Sequence, residues 1–255
     1  MNKVTIAAVS GFSICFVCVP GAASAQSRNM STVWTIQPAT ETPAERTIGY
    51  DEWVVRQPLL PAGLFRLDGE AKVPGRPSLF AAGAQLIEVR TEGAVVACDA
   101  VARRQKLVGA SQFCLIDYER DGKFDGMFAV GNISKGGGMP TIQGQYPQKA
   151  KPIEPVAYSR LDPSQIATRY FVGIRNAGKA AIYDRQNFQI CYGGESATDC
   201  LSDWSYTSAS TFPATIELLG ARITVLSREE GKVRVRVDNT IPLQLFGVIS
   251  TVRYR

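Results

Sequence analysis

Between Cys114 and Gly126 the chain reads Cys-Leu-Ile-Asp-Tyr-Glu-Arg-Asp-Gly-Lys-Phe-Asp-Gly, which sets Asp117, Glu119, Asp121 and Asp125 at positions 1, 3, 5 and 9 of a D-x-E-x-D-G-x-x-D pattern. Carboxylates at alternating positions of a tight loop can turn their oxygens onto one hard cation, and Gly122 permits the sharp bend such a loop needs. The same residues also allow plain turn chemistry, because Asp-Gly is a strong two-residue hairpin signal. A hairpin centred on Asp121-Gly122 would set Arg120 opposite Lys123, Glu119 opposite Phe124 and Tyr118 opposite Asp125. Asp125 would then lie on the other face from Asp117 and Glu119, and the acids would not converge. Both geometries are open at the level of sequence.

The nine residues from Asp117 to Asp125 resemble the calcium loops of EF-hand and dockerin-type proteins. The resemblance implies a calcium ion held by Asp117, Glu119, Asp121 and Asp125, in a structural rather than a catalytic role. It departs from the EF-hand pattern at position 12, where Phe128 replaces the bidentate Glu, and no flanking helices are evident.

Other chemistry is constrained by what is missing. The chain has no histidine, which removes Ser-His-Asp and Cys-His catalysis and His-ligated zinc. No G-x-S-x-G, S-x-x-K or phosphate-loop motif occurs either, so no catalytic residue is assigned and the balance leans away from an enzyme. A pair of carboxylates working as general acid and base needs only a separation of about 5 to 10 Å in space, and no particular pair stands out. Trp34, Trp53 and Trp204 are candidates for a sugar-stacking platform, with Trp204-Ser-Tyr206 as an exposed rim, although a buried core position is the commoner fate of each.

The elements that must position these residues begin after a leader. Residues 1–25 carry Lys3, an apolar run from Val4 to Val19, the breakers Pro20 and Gly21, and the small-residue site Ala23-Ser24-Ala25. This is the layout of a cleaved signal peptide, and it predicts an exported protein, periplasmic or extracellular, with no membrane span in the mature chain. Cleavage would remove Cys15 and Cys18 and leave 230 residues from Gln26, with 27 basic and 23 acidic side chains for a net charge of +4. The basic residues are scattered, so nucleic acid is not an expected partner. Four cysteines in an oxidising compartment read as two disulfides, and their spacing favours Cys98 with Cys114 and Cys191 with Cys200.

Short apolar segments at period two, bounded by Gly, Pro, Asn or Asp, predict an all-β antiparallel fold, a sandwich or barrel with little helix. Residues 86–98 read as a hairpin, and so do Ala221–Leu226 and Lys232–Asp238 about a Ser-Arg-Glu-Glu-Gly turn, with Val233, Val235 and Val237 facing the core. The stretch 134–155 holds three successive glycines and four prolines and reads as a linker or long loop. It would divide the chain into β units at 26–133 and 156–255. The function this composition favours is an exported, disulfide-stabilised, β-rich module binding a protein or glycan of the envelope or secreted fraction, steadied by calcium. The alternative is a carboxylate- or calcium-dependent hydrolase of an extracellular polymer.

Overall fold

The computed structural model of the chain describes residues 27–40, 45–101, 103–105, 109–131, 138–179, 185–195, 198–201 and 206–248. The expected leader at 1–25 and Trp204 lie outside them. In chain order the first strands are β1 (Asn29–Thr32), β2 (Trp34–Ile36), β3 (Glu45–Ile48), β4 (Trp53–Pro61), β5 (Leu64–Leu67), β6 (Ala71–Lys72), β7 (Ser78–Phe80), β8 (Gln85–Thr91), β9 (Val95–Asp99), β10 (Arg103–Gln105) and β11 (Gly109–Asp117). They continue with β12 (Lys123–Gly131), β13 (Gln143–Gln145), β14 (Lys151–Leu161), β15 (Tyr170–Lys179), β16 (Gln186–Gly194), β17 (Thr198–Cys200), β18 (Tyr206–Ala209), β19 (Ala214–Leu218), β20 (Ala221–Glu229), β21 (Lys232–Asn239) and β22 (Gln244–Phe246). The fold is all-β and antiparallel, as expected, and its one helical piece among the described residues is a 3₁₀ turn at Pro163–Gln165.

Six strands close into a barrel: β5 pairs with β8, β8 with β9, β9 with β11, β11 with β12, β12 with β14, and β14 returns to β5. Closure removes the exposed edges that an open sheet would present. Each wall strand sends apolar side chains inward, including Phe65 and Leu67, Leu86, Ala97, Leu115, Phe124, and Ile153 with Val156. Ala71 and Phe80 of the small β6–β7 hairpin join that interior. On the outside of the wall, Val89, Val96, Cys98, Cys114 and Ile116 are covered by Met30 of β1 and by Ile142 and Tyr146.

A second layered structure packs beside the barrel. One sheet runs β17-β16-β15-β4-β2-β22, with β18 also on β16, and the facing sheet runs β19-β20-β21-β3. Their inner faces share one core in which Trp34, Val172, Ile174 and Phe188 meet Ile223, Val225, Val233 and Val235. Leu64 and Ile87, pointing out of the barrel wall, join this same core, so barrel and sandwich bury apolar surface against each other. The β20–β21 hairpin has the expected alternation, with Val233, Val235 and Val237 buried and Lys232, Arg234 and Arg236 exposed. Its turn is tighter than the five residues anticipated: Glu229 pairs with Lys232, and Glu230 and Gly231 both take positive φ, 48° and 79°, as a two-residue primed turn requires.

Strands from both sides of the 134–155 segment share sheets. Residues 138–155 contain β13 and the start of β14, with Met139, Ile142, Tyr146 and Ile153 buried, while β2, β3 and β4 pair into the sandwich. Prolines hide β4 and β14 from a pattern search. Pro58 sits inside β4, where its carbonyl accepts from Gln37 N at 2.8 Å just beyond the end of β2, and the Gln37 carbonyl that a backbone N–H at this position would meet accepts from Gln57 Nε2 at 2.7 Å instead. Pro155 lies in a bulge of β14, where Phe124 pairs with Val156 and Gly126 already pairs with Pro152. That bulge lets Ile153 and Val156, an odd number apart, both face inward.

Candidate functional site

The acidic loop is built around one buried carboxylate. Asp117 ends β11 with 1% exposure. Its Oδ1 accepts from Arg120 N at 2.6 Å and Asp121 N at 3.3 Å, and its Oδ2 from Gly122 N at 3.1 Å and the Tyr158 hydroxyl at 2.9 Å. Arg120 and Gly122 hold positive φ of 60° and 87°, which curls the loop so that its N–H groups face inward. The carboxylate thus satisfies donors that a turn this tight would otherwise leave unpaired. Burial, reinforced by the bond to Asp117, pushes the Tyr158 hydroxyl well up from its ordinary value.

The other three acids do not gather at Asp117. Glu119 is exposed, and Asp121 Oδ1 accepts from Lys123 N at 2.9 Å. Asp125 keeps a buried Oδ1 with no hydrogen-bond partner among the described residues. Its charge acts on Tyr118, whereas those of Asp117 and Asp121 act on Tyr158. No group of three or more His, Cys, Asp or Glu placed to hold a metal ion occurs among the described residues. The register also differs from a hairpin centred on Asp121-Gly122: Ile116 pairs with Gly126, one residue off, and the loop is correspondingly longer.

Both disulfides form, Cys98 to Cys114 between β9 and β11 and Cys191 to Cys200 between β16 and β17. Each joins residues directly opposite in the ladder. The first lies in the barrel wall three residues before Asp117 and so braces the strand that carries the loop. The tryptophans part company. Trp34 is buried in the sandwich core and donates its indole N–H to Pro140 O at 3.2 Å, whereas Trp53 lies half-buried on the outer face of the β4–β15 pair.

That outer face carries an arrangement invisible to period-two reading. Phe171, Gly173 and Arg175 alternate outward along β15. On β4, Ile174 pairs with Val55 while Arg175 pairs with Trp53, so Val54 is an inserted residue. Val54 and Val55 are both buried, and this bulge brings Trp53 and Arg56, three apart, out on the same face. The Arg56 Cζ stacks 3.4 Å from the Phe171 ring centroid and 5.9 Å from that of Trp53, and the Arg175 Cζ sits 4.7 Å from Trp53. Trp53 and Phe171 meet edge to face at 5.5 Å. Gly173 makes room for this stack, because a Cβ there would stand 2.1 Å from Val55 O and 3.0 Å from Trp53 Cε3.

The two guanidinium groups are held differently. Arg175 Nη1 is fixed by Asp51 Oδ1 at 3.1 Å and Thr198 Oγ1 at 3.3 Å. Arg56 makes no hydrogen bond or ion pair among the described residues. Loss of water lowers its pKa, an effect opposed by the charge of Glu195 and increased by that of Arg175. Arg56, Trp53 and Phe171 line a cleft of about 720 Å³ together with Arg46, Arg169 and Glu195, the last being the one carboxylate among the described residues that line it.

Fold and site together define an all-β, disulfide-bonded protein that offers a cation-and-aromatic face on one sheet. No protein-family model, curated protein or solved structure matches the chain.

Proposed function

We propose that the protein is an exported, disulfide-stabilised binding module of the cell envelope or secreted fraction, and that it recognises its partner through the Trp53–Arg56–Phe171 face. The observation that carries this reading is Arg56, a five-donor group stacked over the Phe171 ring with no hydrogen-bond partner among the described residues. Cation–π stacking fixes its position at a gain of about 0.5 to 1 kcal/mol, and its N–H groups remain available to a ligand. Hydrolysis by paired carboxylates has less support, because that chemistry needs two acids flanking one bond and the described residues lining the cleft include one carboxylate, Glu195.

The test is co-sedimentation of the purified mature protein with an envelope preparation, comparing wild type with Trp53→Ala, Arg56→Gln and, on the far sheet, Arg234→Gln. Wild type and the Arg234 variant are expected to sediment, and the two site variants to stay in solution while melting within a few degrees of wild type. Equal sedimentation of all four proteins would contradict the proposal.

A further inference from the structure

We infer that the Cys191–Cys200 disulfide is a redox latch on the Trp53–Arg56–Phe171 face, closed for binding and released by a dithiol; the inference rests on the binding reading above. The bond belongs to that same face. Gly173 pairs with Arg56 on one side and with Cys191 on the other, and Cys191 pairs in turn with Cys200. Residues directly opposite in adjacent strands point to one face, so Arg56, Gly173, Cys191 and Cys200 form a single row across β4, β15, β16 and β17.

What the bond holds is β17. That strand has three residues, ends its sheet and pairs only with β16 among the described residues. Ladder bonds in so short an edge strand gain little over the entropy lost in ordering it, and the cross-link offsets that loss. Two contacts with the face run through this hairpin. Thr198 Oγ1 accepts from Arg175 Nη1 at 3.3 Å, and the Arg175 Cζ sits 4.7 Å from the Trp53 ring centroid. Glu195, in the turn after β16, lines the cleft, and its charge favours the cationic form of Arg56. Arg175 lies opposite Gln189, whereas Thr198 lies opposite Gly193, so the direct path between Arg175 and Thr198 crosses Cys191. Cys191 is accordingly buried, and half-buried Cys200 presents the sulfur that a reductant reaches.

One thiolate of the dithiol attacks Cys200 Sγ, the S–S bond breaks, and Cys191 leaves as a thiolate that takes up a proton. The second sulfur of the dithiol then displaces Cys200, so the dithiol ends as a disulfide and the protein as two thiols. Released, β17 withdraws Thr198 from Arg175 and Glu195 from the cleft, and the two guanidinium groups beside Trp53 lose their support on that side.

Co-sedimentation of residues 26–255 with the envelope preparation across a dithiothreitol series tests this, with alkylation and mass spectrometry reporting which bond is open. Opening Cys191–Cys200 while Cys98–Cys114 stays closed is expected to weaken binding about two- to tenfold, the scale of one net hydrogen bond, and reoxidation to restore it. In the oxidised protein Thr198→Val is expected to weaken binding as well, and reduction to add less to that variant than to wild type. Reduction is also expected to shift the tryptophan emission, and by less in Trp53→Phe, which reads the latch without any ligand. Unchanged binding with Cys191–Cys200 open, or an emission shift equal in Trp53→Phe, would overturn the inference. If sedimentation still depends on Arg56 in that case, the latch is wrong and the binding face stands. If reduction shifts Trp53 emission while Arg56→Gln sediments like wild type, the binding reading is the one that fails.

Discussion

At the scale of single residues, Asp117 is a pin. Four donors converge on its carboxylate, and unpaired buried donors cost about 1 to 3 kcal/mol each. Asp117→Ala should therefore lower stability by about 2 to 4 kcal/mol, and Asp117→Asn by less, since one oxygen remains; chemical denaturation measures both. With its oxygens already bonded to the loop, calcium is expected to leave the wild-type melting temperature unchanged. A calcium-dependent rise that Asp121→Ala abolishes would show that the loop binds the ion instead. The acids were legible in the sequence, but their roles were not: acids spaced two apart look alike until one points inward against Tyr158. A second residue prediction concerns alkaline pH. Tyr192 is pushed up to about 12, first by burial and then by the charge of Asp199. Its folded value lies above the unfolded value near 10, so its contribution to stability is complete below about pH 10 and is lost as pH rises through 12. Tyr158 and Tyr170 shift the same way. Melting temperature should hold up to pH 10 and then fall, and the fall should be smaller in Tyr192→Phe; an identical fall would show that Tyr192 takes no part.

At the scale of elements, what the chain reveals depends on how regular each strand is. The β20–β21 hairpin was legible because Val233, Val235 and Val237 alternate without interruption. The β8–β9 hairpin and the two cysteine pairs were legible for the same local reasons. By contrast, β4 and β14 carry prolines and bulges, and the bulge at Val54 turns Trp53 and Arg56 to one side, a relation that no fixed period encodes. The Trp53–Arg56–Phe171 face was therefore missed, although Trp53 itself was noticed. Both disulfides span adjacent strands, yet their exposure differs: Cys98, Cys114 and Cys191 are buried and Cys200 is half-buried. Under native conditions a thiol reductant should open Cys191–Cys200 before Cys98–Cys114, since exchange requires access to sulfur. Mass spectrometry of alkylated samples reads the order, and earlier opening of the barrel-wall bond would contradict it.

At the scale of the whole molecule, the barrel needs chain from both sides of the glycine-rich stretch. β14 (Lys151–Leu161) lies between β12 and β5, so residues 26–133 alone lack the sixth wall strand. That fragment is expected to show no cooperative melting transition, whereas residues 26–255, with Leu64 and Ile87 of the wall in the sandwich core, should melt as one unit. A sharp transition in the fragment would show that the remaining strands close without β14. The proposed binding face is a whole-molecule property as well, since β4 and β15 come from either side of the 134–155 stretch and meet to form the Trp53–Arg56–Phe171 face. The most direct measurement of the proposed recognition is hydroxyl-radical footprinting of residues 26–255, free and in the presence of the envelope preparation. Protection centred on Trp53, with Leu243, Leu245 and Tyr50 still oxidised as in the free protein, is the expected pattern. Unchanged oxidation of Trp53 in the bound state, or protection confined to the barrel, would contradict the assignment of this face as the site of recognition.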